Sequence, residues 1–219
     1  MDTKLEIRKT RMMLLLIAGI PIVLILAATW LWFFVARGDL DLVAVLGTAN
    51  QGSLVQPPRD MKAESFKDAA GVALPYGELE SKWTFLVPQI GARCGQGCEN
   101  TLYTTRQIHV ALGKGYNRIQ RVLVADHSPD AIELALTYTT DERAMPDTFE
   151  KYIETEHRDV KVLTLPPGDV PALFSELENS PDTWYLVDPA GWIMMSYSAD
   201  IHYKDVMADL KFLLKNSSE

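Results

Sequence analysis

The sequence predicts an α/β domain, a mixed sheet with helices on both faces, preceded by one N-terminal transmembrane helix. Residues 12–36 run without a single charged side chain. Beyond residue 80, short apolar runs of strand length alternate with amphipathic stretches of helical period. Hydrophobic residues make up 47% and charged residues 23% of the chain, a balance that folds rather than stays disordered.

The apolar run comes first. At 1.5 Å rise per residue it reaches roughly 37 Å, more than a hydrocarbon core of about 30 Å. Pro21 lies inside it, which a membrane helix tolerates. Trp30, Trp32, Phe33 and Phe34 cluster near its end, where aromatic rings meet headgroups. Lys4, Arg8, Lys9 and Arg11 precede it, and Arg37 alone follows closely. The positive-inside bias therefore puts residues 1–11 in the cytoplasm and the rest of the chain outside. A cleaved signal peptide has a shorter apolar core, so we read 12–36 as an uncleaved anchor.

About 180 residues remain, enough for one domain with its own core. The net charge is −8, and with +2 in the first eleven residues the remainder stands at −10. An acidic domain repels phosphates, which excludes nucleic acid as a partner. Residues 37–80 read as a tether and leading segment, with turn signals at Asn50-Gln51-Gly52-Ser53 and Pro57-Pro58. The domain proper is expected over 81–219.

Trp83 to Val87 reads as a buried strand. A helix follows from the cysteine region to about Gly113, with Leu102, Thr105, His109 and Leu112 on one face. Arg121 to Ala125 is a second strand. Residues 129–138 are ambiguous, and 147–156 favour helix. Val160 to Leu165 is a third strand. Asp169 is placed to cap a helix whose apolar stripe is Val170, Leu173, Phe174 and Leu177. Trp184 to Val187 and Trp192 to Tyr197 form a hairpin around the turn Asp188-Pro189-Ala190-Gly191. A last amphipathic helix carries Val206, Met207, Leu210, Leu213 and Leu214.

The chain has two cysteines, both in Arg93-Cys94-Gly95-Gln96-Gly97-Cys98-Glu99. They follow a strand and open a helix. The positive end of the helix dipole favours thiolate there, and Arg93 adds a cation. A thiolate is both the nucleophile of disulfide exchange and a soft metal ligand. Both sulfurs can lie on one face of the first helical turn, closing a disulfide or gripping Cu(I). An inert structural disulfide is the alternative, although so short a loop gains little from cross-linking. Cys94, nearer the helix start, is expected to be the attacking thiol.

With these features in place the chain resembles the Sco/SenC family of membrane-anchored, thioredoxin-like copper proteins of cytochrome c oxidase assembly. The resemblance spans roughly residues 60–216. It is carried by the Phe66 to Gly71 segment, Lys82-Trp83 leading into the C-x-x-x-C, and Tyr185-Leu186-Val187-Asp188-Pro189-Ala190-Gly191. It is closer still to a group of proteobacterial membrane proteins associated with cytochrome oxidase genes, through Gly52-Ser53-Leu54, Pro57-Pro58 and Arg106 to Lys114. The resemblance implies a thioredoxin-like fold and a periplasmic domain on a bacterial inner membrane. It implies oxidase subunits or assembly factors as partners, and Cys94 and Cys98 as catalytic dithiol or copper ligands. It also exposes a departure, because the place of the family's copper-ligating histidine falls on Ser180. Copper is thus a candidate cargo with an incomplete ligand set, and thiol–disulfide exchange gains ground. A non-catalytic oxidase scaffold and a general periplasmic thiol reductase are the competing readings. Pro181 lies one residue from the register of a thioredoxin-type cis-proline.

The remaining features read as packing or surface. His109 is expected to be a satisfied, partly buried side chain, and His127 a surface-turn residue. Met194 and Met195 point to opposite faces of a strand, so at least one packs. Asp141-Glu142 and Glu154 to Glu156 are expected to be solvated, while Trp83 and Trp192 look like core or strand residues.

Overall fold

The structure is a computed structural model that describes residues 2–36, 50–139, 142 and 144–217. The tether expected over 37–49 and Asp141 of the acidic run lie outside the described residues. The chain divides into two compact units, Met1–Ala49 and Asn50–Glu219. The first holds helix α1, Asp2–Ala36, with Pro21 inside it. Arg11–Phe33 has a mean hydropathy of 2.6, and by length and composition it can cross a membrane. No apolar stripe distinguishes one face of α1 from another, as expected of a helix surrounded by lipid.

The second unit is built on a seven-stranded sheet. Its strands are β1 Ser53–Asp60, β2 Lys67–Asp68, β3 Trp83–Gln89, β5 Ile119–Ala125, β7 Val160–Thr164, β8 Trp184–Val187 and β9 Trp192–Tyr197. The order is β1-β9-β8-β3-β5-β7-β2. β3, β5 and β7 run parallel, and β8, β9, β1 and β2 pair antiparallel. A second, two-stranded parallel sheet joins β4, Arg93–Cys94, to β6, Glu133–Leu134. The helices are α2 Gln96–Ala111, α3 Phe149–Glu156, α4 Val170–Leu173 and α5 Tyr203–Asn216.

The period-2 alternation of the strands sorts their side chains into two cores. Phe85, Val87, Leu123, Ala125 and Leu186 face α2, α3 and α5, where Leu102, Phe149 and Leu210 complete one core. Leu86, Val122, Val124, Tyr185 and Val187 face the other way, onto Met61, Phe66, Tyr76, Leu173 and Phe174. Strands covered on both faces read as continuous apolar runs, which is why the central strands were plain in the sequence.

Two expectations need correction. Residues 50–80 are not a tether. Ser53–Asp60 is an edge strand of the sheet, paired with β9 from Ser53↔Ser196 to Asp60↔Trp192. An edge strand tolerates prolines because its outer N–H groups have no ladder partner, and the register shifts between Leu54 and Arg59, around Pro57 and Pro58. Asp169 makes no side-chain cap, and α4 is a single turn followed by a 3-10 turn over Ser175–Glu178. The apolar stripe itself is real: Val170, Leu173 and Phe174 are buried and Leu177 packs against them. Trp192 lies in β9 as expected but is 41% exposed, whereas Trp83 is buried.

One polar cluster sits inside the apolar core. Arg121, in the middle of β5, is 1% exposed. Its Nη1 donates to Asp159 Oδ1 at 3.2 Å, and its Nη2 donates to the Leu102 carbonyl at 2.7 Å and Thr105 Oγ1 at 3.0 Å. His157 Nδ1, 3.4 Å from Nη2, accepts. Burial, then the charges of Arg121 and Arg106, push the His157 pKa down to about 3. Burial alone would raise the Asp159 carboxyl, but its side-chain contact with His109 and the charge of Arg121 hold it well below the usual carboxylate range.

Both shifts have one consequence. Between pH 6.5 and about 3 the unfolded chain takes up a proton at His157 that the folded chain refuses. Stability is therefore full above that window and falls as the pH drops through it, with a slope of up to about 1.4 kcal/mol per pH unit. Asp159 adds a further loss below its ordinary unfolded-state pKa. The urea midpoint is expected to fall between pH 7 and pH 4.5, and a constant midpoint would contradict a neutral His157.

Candidate functional site at the Cys94–Cys98 disulfide

The turn after β3 positions the cysteines. Gln89, 3% exposed, donates from Nε2 to the Gly91 and Arg93 carbonyls, each at 3.1 Å. Gly91 takes φ +86°, which glycine adopts without a Cβ clash, and its N–H donates to Asp126 Oδ1 at 2.8 Å. These bonds hand the chain to β4, whose Cys94 carbonyl accepts from Ala135 N–H at 2.9 Å. Gly95 is the N-cap of α2.

Cys94 and Cys98 form a disulfide with a Cα–Cα separation of 5.3 Å. The two sulfurs do not share the first helical turn as the spacing predicted. Cys94 precedes the cap, in β4, while Cys98 lies in the first turn of α2. Cys94 is 0% exposed and belongs to the core, whereas Cys98 is half-buried. Cys98 lines an open groove of about 520 Å³, whose walls include Ile90, Val170, Phe174, Leu177 and Pro181. Arg93, Glu178 and Asp182 bring charge to its edges. Such a groove can receive an apolar segment of chain beside a reacting thiol.

Asp182 is the functional neighbour that sequence reasoning missed. It lies two residues before β8 and closes over Gly97, where an added Cβ would lie 2.6 Å from Asp182 Cγ. A carboxylate over the first turn of a helix is stabilised by the exposed N–H groups there. Gly97→Ala is therefore expected to displace Asp182 and to cost about 1 kcal/mol in the native background. In an Asp182→Ala background the same change should be neutral or stabilising, since alanine suits a helix better than glycine. Urea midpoints of the four proteins measure this coupling. Equal effects of Gly97→Ala in both backgrounds would remove the contact as its cause.

The remaining candidates lie elsewhere. Ser180 faces a different hollow, with Ser53, Asn179 and Ser196. The cis peptide bond among the described residues is Gln56–Pro57, so the bond before Pro181 is trans. His109 is buried, stacked on Tyr116 at 3.9 Å, and its Nε2–H donates to the Tyr116 carbonyl. His127 pairs with Asp126 at 2.7 Å, and His202 caps α5. Met195 is buried and Met194 packs against the same core. Glu154 is solvated, but Glu156 accepts from Arg106 at 3.2 Å.

Two cysteine sulfurs suit a soft Cu(I) ion. Among the described residues, no group of three or more His, Cys, Asp or Glu side chains is arranged to hold a metal. A site like that of a two-cysteine, one-histidine protein therefore does not fit these residues.

Residues 83–158 and 137–217 match the family described as "Transmembrane-like, thioredoxin-like, C-terminal domain". The chain belongs to this family. No curated protein matches it. Solved structures with the same fold include yeast Sco1, at 17% identity and a TM-score of 0.51 over 78% of this chain and 99% of that one. Apo Sco1 from Thermus thermophilus has 18% identity and a TM-score of 0.50, over 76% and 98%. Arabidopsis thaliana ScoI with copper bound has 14% identity and a TM-score of 0.50, over 76% and 99%. At these identities the likeness speaks for the fold. It agrees with the thioredoxin-like α/β architecture that the sequence predicted for this member of the transmembrane-like, thioredoxin-like family.

Proposed function

We propose that this chain is a membrane-anchored thiol–disulfide exchange protein of cytochrome c oxidase assembly. Its anchor is residues 12–36, its N-terminus is cytoplasmic, and its thioredoxin-like domain is on the periplasmic side of a bacterial inner membrane. The observation that carries this reading is the disulfide at a strand-to-helix junction with one sulfur open to an apolar groove. A disulfide kept only as a staple has no need of an open groove at one sulfur. The charge bias around the anchor supports the orientation. The oxidase setting rests on the resemblance to Sco/SenC proteins, and the clients would be oxidase subunits or other assembly factors.

Copper handling by the same two sulfurs is the second reading, favoured by their soft donor character and by the copper-bound ScoI fold relative. The two readings separate in a Cu(I) titration of the reduced protein against a chelator. Stoichiometric tight binding favours copper handling, whereas weak binding with measurable exchange on a disulfide substrate favours the dithiol reading.

Function in cells is tested by replacing each cysteine with serine in a strain lacking the wild-type copy. Both Cys94→Ser and Cys98→Ser are expected to lower cytochrome c oxidase activity, with protein levels unchanged. Normal activity in both strains would overturn the assembly role.

A further inference from the structure

We infer that Cys98, not Cys94, is the sulfur that exchanges with the client, and that Cys94 is the internal resolving thiol. This deepens the exchange reading above and rests on it. A thiolate displaces a disulfide sulfur by approaching from behind, along the S–S axis, so the attacked sulfur must be open to solvent. Cys94 is 0% exposed, ends a strand paired to β6 and packs in the core with Ile132. Cys98 is half-buried, and of the two it is the one lining the groove. The order expected from the sequence is thereby reversed. Cys94 lies outside the helix, before the Gly95 cap, and the dipole acts most directly on the first turn, where Cys98 sits.

A client thiolate attacks Cys98 Sγ, and a client–Cys98 disulfide forms. The Cys94–Cys98 bond breaks, and its electron pair leaves on Cys94 Sγ, which takes a proton. A second client thiolate attacks the client sulfur of the mixed disulfide and releases Cys98 as thiolate. The client dithiol has lost two electrons and becomes a disulfide, and the chain has gained them as a dithiol. In the opposite direction the Cys98 thiolate opens a client disulfide, and Cys94 resolves the mixed species.

With two cysteines in the chain, each single serine variant carries one thiol. Full-length Cys94→Ser and Cys98→Ser proteins in detergent are treated with iodoacetamide at neutral pH. Free Cys98 is expected to react at least about tenfold faster than free Cys94, with the difference vanishing in urea, because a buried thiol is shielded and stays protonated. Equal rates or a faster Cys94 in two natively folded variants would overturn the assignment. A second measurement needs no variant: the oxidised wild-type protein is mixed with a one-cysteine peptide, quenched with acid, and the adduct located by fragment mass spectrometry. An adduct on Cys98 supports the proposal, and one on Cys94 overturns it. Neither readout involves oxidase activity, so a wrong sulfur and a wrong cellular role give different failures.

Discussion

Replacing Arg121 by alanine is expected to lower the unfolding free energy by roughly 3–5 kcal/mol, the cost of breaking a buried ion pair from one side. The guanidinium holds four partners from two parts of the chain: Asp159 and His157 after α3, and the Leu102 carbonyl and Thr105 hydroxyl of α2. Removing it leaves the Thr105 and Leu102 oxygens facing an apolar gap, because both lie deep between α2 and the sheet. Arg121→Met keeps most of the volume and should cost less, although Asp159 still loses its cation. Because α2 carries Cys98, the looser helix should also open the first-turn region to solvent. Urea unfolding of both variants measures the first effect, and iodoacetamide access to the reduced pair measures the second. An alanine variant within about 1 kcal/mol of wild type would mean that the cluster is held by Asp159 and His109 without Arg121.

The sequence made some of these features legible and hid others for identifiable reasons. The central strands showed themselves because both of their faces are buried, and Arg121 was read within one of them as part of an apolar run. Its partners lie at positions 102, 105, 157 and 159, so nothing local marks it as the hub of a polar cluster. The last helix and the Trp184–Tyr197 hairpin were legible from period and turn residues alone. Edge strand β1 was not, because Ser-Leu-Val-Gln-Pro-Pro-Arg-Asp has two apolar residues and two prolines. The two-residue strands β4 and β6 are too short for any periodicity, and β4 is what buries Cys94. The cysteine pair was found from spacing and context, but which sulfur faces outward depended on where helix α2 is capped. Asp182 reaches Gly97 across 85 positions of sequence, a contact that only the folded sheet creates.

Asp209→Ala is the second large effect, expected at roughly 2–4 kcal/mol, since it strands several donors around a buried carboxylate. Asp209 is 4% exposed on α5. It accepts from the N–H of Gln51 at 3.0 Å, the N–H of Gly52 at 2.9 Å and the hydroxyl of Tyr197 at 3.2 Å. Burial first, then the charge of Asp209, push the Tyr197 phenol up, so it stays a neutral donor across the working pH range. Gly52 is fixed by the same latch, because an added Cβ would lie 2.5 Å from Tyr197 Cε1 and 2.9 Å from Met195 Cε. These contacts seat the start of β1 against β9 and α5, at the edge of the sheet remote in strand order from β7 and β2. Losing them should free Gln51 to Asp60 for hydrogen exchange while β3 and β5 stay protected. The disulfide, which joins β4 to the first turn of α2, should keep its exchange rate with a small dithiol. If that rate fell together with β1 protection, the edge strand would be coupled to the site through the sheet, and the latch would have to be counted among the elements that position Cys98.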